Sequence, residues 1–321
     1  MKRFEDILGM TQEQLKDYLC SYLCGVGYKI NSADGYVFAK GDIPVLLIAH
    51  MDTARNKEIP KTILKLPTDE GIRMTADGTL IGGDDRCGVW MIMNIIKKSK
   101  CHVLFLEDEE IGCVGARKFA NSDHANYISE NISFMIELDR RGKNDCVFYS
   151  NDNRDFIKYI EEKTGTKEAV GSMSDISTIM PKTRIAGVNL SCGYYREHTI
   201  DEYIMVEEME NMMERLQNFL ESETDFPKYE YVERKYEYKP WNYSDYSFGK
   251  SWRKAPTLSQ KALKTLEELR LTVVLEDGWQ TEEGVDLEYV SFGSSPAECW
   301  ANMFLENEDL CFSMIEDYYF N

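Results

Sequence analysis

The chain has 321 residues, of which 43% are hydrophobic and 29% charged, and its formal net charge at pH 7 is −19. This composition is typical of a globular protein with a sizeable core, and the acidic excess would repel a phosphate backbone, which argues against a nucleic-acid partner. The chain has nine cysteines but no CxxC pair, which predicts reduced thiols. It shows no signal-peptide pattern and no run near the roughly 20 apolar residues of a membrane span. We therefore expect no membrane partner and a cytoplasmic location.

Apolar runs and helical patterns alternate along the first 220 residues. A capping box at Thr11 precedes a helix that ends near Gly25 and Gly27. Strands are predicted near 45–49, 102–106, 132–138 and 184–190, and helices near 87–98, 113–121, 153–163 and 203–220. This alternation predicts an α/β fold in which a mostly parallel mixed sheet is covered by helices on both faces.

The composition changes near residue 225. Tyrosines and tryptophans crowd residues 226–252, and helical patterns follow near 258–271 and 297–304. We therefore expect a main domain over 1–224 and an aromatic strap with a small helical module over 225–321. The aromatic strap is interpreted either as a segment packed across the main domain or as a carbohydrate or peptide contact surface, and packing is the favoured interpretation.

The strongest functional signal is a series of histidines and acids that follow apolar runs. His50 closes the run 44–49, and four later segments repeat the arrangement: Asp84 after Leu80-Ile81, Glu109-Glu110 after 103–106, Asp139 after 134–138, and His198 after 188–190. Ligands of α/β sheets bind beyond the carboxyl ends of the strands, and His, Asp and Glu are ligands of catalytic zinc. A lone histidine at a strand end is more often structural, and an acidic run is more often a solvated turn, but here five segments agree. They predict a metal site at one edge of the sheet.

The number of candidate ligands fits two metal ions. A bridged pair needs one shared ligand and roughly two further ligands for each ion. Five residues supply this number: His50, Asp84, Glu110, Asp139 and His198. Asp52 is expected to orient the imidazole of His50, and Glu109 remains as the general base that moves a proton between water and a leaving group. His102 and His124 are interpreted as incidental.

In order, these motifs resemble those of the co-catalytic zinc exopeptidases of the M20/M28/M42 group. The residues that carry the resemblance are His50-Met51-Asp52, Gly83 to Gly88, Glu109 to Ala116, Asp139 and His198. With the flanking helices, the resemblance covers about residues 1–222. It implies that Asp84 bridges two zinc ions, that His50 and Asp139 hold one ion and Glu110 and His198 the other, that Glu109 is the base and Asp52 the orienting residue, and that the Asp84–Asp85 peptide bond is cis.

Two features depart from the M20 branch. Only about thirty residues separate Asp139 from the turn at 171–175, too few for the lid or dimerisation domain that M20 enzymes usually carry, so the chain is expected to be lidless, as in the M28 branch. Arg140 and Arg141 follow Asp139 and are candidates for holding a substrate carboxylate, with surface ion pairing as the alternative.

The sequence thus predicts a hydrolase with two divalent metal ions, zinc or alternatively cobalt or manganese, that cleaves a peptide or N-acyl amide bond through a metal-activated water. An aminopeptidase or a di- or tripeptidase is favoured. Two alternatives are a deacylase of small N-acylated metabolites and an inactive family member that acts as a binding scaffold. The expected partner is a peptide or acylated amino acid, and the oligomeric state is left open.

Overall fold

The computed structural model describes residues 2–54, 62–171 and 173–234, and the backbone of two short strands beyond them. In chain order the elements are α1 (Phe4–Leu8), α2 (Gln12–Gly25), β1 (Ile30–Ala33), β2 (Tyr36–Ala39), β3 (Ile43–His50), β4 (Ile63–Thr68), β5 (Gly71–Ala76), α3 (Gly83–Ile95), β6 (Cys101–Leu106), α4 (Val114–Ala120), α5 (Asp123–Asn131), β7 (Phe134–Arg140), β8 (Asp145–Val147), α6 (Arg154–Thr164), β9 (Lys167–Glu168), α7 (Asp175–Thr183), β10 (Gly187–Ser191), β11 (Tyr194–Tyr195), β12 (Tyr203–Met205), α8 (Val206–Ser222), β13 (Val273–Val274) and β14 (Gly278–Trp279).

The main sheet has eight strands in the order β1-β2-β6-β3-β7-β10-β8-β9. Its centre is parallel, because β3 pairs with β6 on one side and with β7 on the other, and β7 pairs with β10. Strands β1, β2 and β8 add antiparallel pairs toward the edges. The predicted mostly parallel mixed sheet is therefore confirmed.

Side chains of the central strands are buried on both faces of the main sheet. In β3, Val45, Leu47 and Ala49 join the core beneath α2, α3, α6 and α8, whereas Leu46 and Ile48 join the core beneath α4, α5 and α7. This alternation follows from the two-residue period of a strand. Because both faces are covered, the strands are apolar throughout, which is the signal that the sequence gives for parallel strands.

A smaller sheet has the order β11-β12-β5-β4 and contains elements that the sequence analysis missed. The apolar pair Leu80-Ile81, interpreted as a strand end, is irregular, so Asp84 is presented by the start of α3 instead. The thirty residues after Asp139 form β8, α6 and β9, and two of these elements extend the main sheet. Residues 140–170 thus belong to the sheet and its covering helices, and they do not form a separate inserted domain.

The chain divides into two compact units, Met1–Tyr236 and Glu237–Asn321. In the second unit, β13 and β14 form an antiparallel pair, and the helices predicted near 258–271 and 297–304 lie outside the described residues, as does the strap beyond Arg234. The described part of the strap packs on the first unit: Tyr229 exchanges backbone hydrogen bonds with Ser133 and Ala186, and Tyr231 is buried. Residues 226–234 thus belong with the first unit, although the sequence analysis assigned them to the addition. Along the described ranges, none of the helices has the length and apolar character needed to cross a bilayer.

Candidate metal centre

The fold brings the predicted ligands to one edge of the main sheet. His50 is the last residue of β3, Asp139 lies near the end of the adjacent β7, and Glu109 and Glu110 follow β6 on the other side of β3. Asp84 approaches from the first turn of α3, and His198 from the loop between β11 and β12. The sequence could place these residues at one edge because the carboxyl ends of neighbouring parallel strands meet there.

His50 is buried, and its two ring nitrogens face different carboxylates. Nε2 lies 3.0 Å from Asp84 Oδ1 and 3.4 Å from Asp139 Oδ1, and Nδ1 lies 3.1 Å from Asp52 Oδ1. Burial alone would lower the pKa of His50, but the surrounding carboxylates, Asp139 first, raise it well above its usual value. His50, Asp84 and Asp139 thus converge on one position.

His198 forms a second group of donors with the same aspartate. Its Nε2 lies 3.2 Å from Asp84 Oδ2 and 3.0 Å from Glu110 Oε2. These contacts raise the pKa of His198 to about 11, even though 54% of its side chain is exposed. Asp84 therefore turns one oxygen to each imidazole. The Asp84–Asp85 peptide bond is cis, as the resemblance implied.

Asp52 makes three polar contacts in the interior of the site. Besides facing His50, its two oxygens accept the backbone N–H groups of Glu109 at 3.0 Å and Glu110 at 3.1 Å. The sequence analysis anticipated the contact with His50 but not those with the acidic turn. Asp52 thus fixes both an imidazole and the backbone that carries the next two acids.

Glu109 stands apart from the two groups of donors. Its Oε1 accepts a hydrogen bond from the Cys113 thiol at 3.6 Å, whereas the adjacent Glu110 points at His198. Burial raises the pKa of Glu109 to about 9, and Asp139 adds to that shift while His50 opposes it. A half-buried carboxylate beside the ligands, on a turn whose Glu109 and Glu110 amides are fixed by Asp52, suits a proton carrier more than a ligand.

The charge balance of the site fits metal cations. Burial raises the pKa of Asp139 to about 6 and also raises that of Glu110, and the negative charge of Asp84 adds to both shifts. Oε1 of Glu110 is buried without a hydrogen-bond partner among the described residues. Donor atoms of His50, Asp84 and Glu110 lie within 4.8 Å of one another. Nitrogen and oxygen donors of this kind, with surplus negative charge, are what a divalent metal such as zinc requires.

Asp85 forms an alternative donor group with His50 and Asp139. Its oxygens, however, already accept the N–H groups of His50 at 3.2 Å and Gly88 at 2.9 Å, so it supports the backbone of the site. Asp84, which faces both imidazoles, is therefore the better candidate for a shared ligand.

Several supporting residues carried no sequence signal. Asp139 Oδ2 accepts the Ser174 hydroxyl at 3.0 Å and Oδ1 accepts the Tyr194 hydroxyl at 3.2 Å. The side chain of Asn189 bonds both the N–H and the C=O of Asp139. Glu202 accepts the N–H groups of Gly82 and Asp84. These contacts join residues 35 to 120 positions apart, which no local pattern in one sequence reveals.

The two arginines after Asp139 are paired within the chain. Arg140 lies 3.6 Å from Asp145, and Arg141 lies 2.9 Å from Glu197. Their proposed contact with a substrate carboxylate stays a prediction, and these ion pairs match the alternative of surface pairing.

Comparison with known families decides the class of this centre. Residues 37–180, from β2 to α7, match peptidase family M28. This segment matches an M28 peptidase domain. An M28 domain identifies the chain as a metal-dependent hydrolase, and the resemblance inferred from the motifs is confirmed. Of the predicted ligands, His198 alone lies beyond the matched range, on the loop that completes the site.

Solved structures share the fold of the M28 domain. A tripeptidase from Staphylococcus aureus subsp. aureus Mu50 is 14% identical with a TM-score of 0.55, and the alignment covers 68% of this chain and 95% of that one. The aminopeptidase PepT from Bacillus cereus ATCC 10987 is 16% identical with a TM-score of 0.54, covering 68% and 96%. An aminopeptidase from the archaeon Desulfurococcus kamchatkensis is 15% identical with a TM-score of 0.51, covering 68% and 94%. Among curated proteins no match was found.

Proposed function

We propose that the chain is a two-metal exopeptidase that removes apolar amino-terminal residues from short peptides. The observation that carries this proposal is the position of Asp84, whose two oxygens lie 3.0 Å and 3.2 Å from the ring nitrogens of His50 and His198. His50 with Asp139 would hold one ion and His198 with Glu110 the other, with Asp84 shared. Zinc suits these donors, and cobalt or manganese would be substitutes. The M28 match supports a peptidase over a deacylase or a scaffold.

Each side chain has a distinct task in this proposal. Bound divalent cations would polarise the scissile carbonyl, acidify the attacking water and keep Glu109 ionised. The carboxylate of Glu109 takes the proton of that water and delivers it to the departing amine. Asp52 keeps His50 in the tautomer that leaves Nε2 unprotonated, and it holds the Glu109 backbone in place.

The charges around the site favour a substrate amine over a substrate carboxylate. Arg140 and Arg141, the cations next to Asp139, are already paired with Asp145 and Glu197. With both guanidinium groups engaged in these ion pairs, neither is free to hold a substrate carboxylate. This asymmetry supports an aminopeptidase.

Apolar side chains on the loops that carry the site support an apolar substrate residue. Ile111 follows Glu110 and is 68% exposed, Ile200 lies two residues after His198 and is 56% exposed, and Met173 precedes Ser174 and is 43% exposed. Large exposed apolar side chains mark binding surfaces when they cluster on functional loops. We therefore propose leucine and methionine as preferred amino-terminal residues.

The test is hydrolysis of aminoacyl 4-nitroanilides by the zinc-loaded protein, with leucine, methionine, glycine, glutamate and lysine substrates and acetyl-leucine anilide as the blocked control. We expect leucine and methionine to give the highest kcat/KM and the blocked substrate to resist cleavage. Ile200→Ser should lower kcat/KM for leucine relative to glycine, whereas Ile72→Ser, an exposed position on β5, should not change this ratio.

Asp84→Ala provides the check on the metal centre. Loss of the shared carboxylate should abolish activity and lower the metal content below two ions per chain. Two ions retained by Asp84→Ala would refute the bridged pair. Cleavage of N-acetyl amino acids but of none of the free aminoacyl anilides would identify a deacylase instead.

A further inference from the structure

Glu202 is a buried carboxylate that touches no metal ligand side chain yet contacts the backbone that carries one. It is 1% exposed, and it lies four residues after His198. Its Oε2 accepts the N–H of Gly82 at 2.8 Å, and its Oε1 accepts the N–H of Asp84 at 3.0 Å. Both oxygens are therefore engaged by the turn that presents the shared aspartate.

The turn at the start of α3 needs an acceptor from elsewhere in the chain. Gly82, its N-cap, has a φ of +73° and gives no side-chain cap, and Asp84 departs from helical geometry with a ψ of 104°. The first amides of a helix have no intrahelical partner, and a negative charge near them is favourable. Glu202 meets this need from more than one hundred residues away.

The other end of the connection is the loop that carries His198. This histidine has a φ of +66° and an exposed side chain, and its ring contacts Asp84 and Glu110 through Nε2 alone. The loop rejoins the small sheet at Glu202, whose backbone N–H bonds Thr199 O at 3.2 Å and whose backbone oxygen accepts the Thr75 hydroxyl at 3.3 Å. Glu202 is thus the point where the His198 loop is tied to the turn of Asp84.

We propose that Glu202 is a positioning residue that sets the separation between the shared carboxylate and His198, and thereby the affinity for the second metal ion. This inference rests on the proposed two-metal function. The first position depends less on Glu202, because His50 is held by Asp52 and Asp139 by Ser174 and Tyr194. Replacing Glu202 should therefore lower the affinity for the second ion and leave the affinity for the first unchanged.

Glu202→Gln isolates this role at nearly constant volume. Glutamine offers one acceptor oxygen and one NH2 donor, so one of the two backbone amides faces a donor and loses its partner. Outer contacts to metal ligands typically change metal affinity by about 10–100-fold. Glu202→Asp keeps both acceptor oxygens on a shorter arm and should retain an intermediate affinity.

The experiment is a zinc titration of the metal-free full-length chain against a chromophoric chelator, with kcat measured at limiting and at excess zinc. For Glu202→Gln we expect one unchanged and one about 10–100-fold weaker site, with kcat recovering at excess zinc. Glu207→Gln is the matched control, because Glu207 also accepts a backbone amide, that of Ile72 at 2.6 Å, but away from the ligands. It should bind both ions as the wild type does.

Three outcomes would overturn the inference. Two wild-type affinities in Glu202→Gln would show that Glu202 does not position the second site. Equal weakening of both sites, accompanied by a lower unfolding temperature of the metal-free protein, would show a general structural role. If Glu202→Gln does not fold, Glu202→Asp decides on the same criteria. A wild type that binds fewer than two ions would instead reject the proposed function itself, and the inference with it.

Discussion

Replacing Asp52 by Asn tests how far the centre depends on a single buried carboxylate. Asp52 Oδ1 faces His50 Nδ1 and the Glu109 N–H, while Oδ2 accepts the Glu110 N–H. Asparagine has one oxygen and one NH2 group, so in either orientation at least one backbone N–H meets a donor. Hydrogen bonds to charged groups contribute about 1.5–3 kcal/mol. We expect the free energy of unfolding of the zinc-saturated protein, in which cations offset carboxylate repulsion, to fall by about that amount.

The measurement is urea unfolding at saturating zinc, together with zinc affinity. The affinity should fall by about 10–100-fold, since the imidazole of His50 loses the group that orients it. Asp34→Asn is the control, because Asp34 is an exposed aspartate paired with Lys118, and its unfolding midpoint should not move. If Asp52→Asn unfolds and binds zinc as the wild type does, then the three contacts of Asp52 are not what organises the turn.

Three further predictions concern other parts of the chain. Glu109→Gln should lower turnover by about 10²–10⁴-fold with both ions retained, whereas Glu110→Gln should lose affinity for one ion; an active Glu109→Gln enzyme would reverse the two roles. Burial lowers the pKa of His102 to about 4, whereas the unfolded chain has a value near 6.5. The neutral imidazole therefore contributes fully to stability above about pH 6.5. As the pH falls toward 4, the free energy of unfolding should decrease by up to about 3 kcal/mol. His102→Asn, which keeps an acceptor for the Gly41 N–H, should flatten that part of the stability curve in pH-dependent urea unfolding. A chain ending at residue 236 should keep its metal content. A chain ending before Phe226 should have a lower unfolding temperature than the chain ending at 236, because it lacks the contacts of Tyr229. Equal unfolding temperatures of the two chains would contradict this account of the strap.

Much of the fold could be predicted from the sequence because the central strands are buried on both faces. The runs around Leu47, Phe105 and Ile136 are apolar at consecutive positions, a pattern that short edge strands do not have. Strand β8 has three residues, and β9 has two exposed residues. Both are too short to give a periodic pattern, and they form by pairing with a neighbouring strand. Their existence is a tertiary effect that local propensity does not encode.

The candidate ligands were predictable for the same reason, since each except Asp84 and His198 lies at or shortly after the end of a buried strand. The supporting contacts were not. In the sequence, Glu202 is one of many acids and Ser174 resembles an ordinary turn residue. Only the fold brings Glu202 to the Asp84 amide and Ser174 to the Asp139 carboxylate. A carboxylate that binds a distant backbone amide leaves no periodic trace in the sequence.

The spread of the donors along the chain has a consequence for biosynthesis. His50 and His198 face the same carboxylate but belong to segments at opposite ends of the first unit. At about 5–20 residues per second, the ribosome would release the first histidine on the order of ten seconds before the second. By the end of that interval the growing chain already carries the other candidate ligands, and only His198 is missing. If the centre holds two ions as proposed, the full metal complement would be captured only after β10 and the following loop have joined the sheet, and metal loading would then report completed folding.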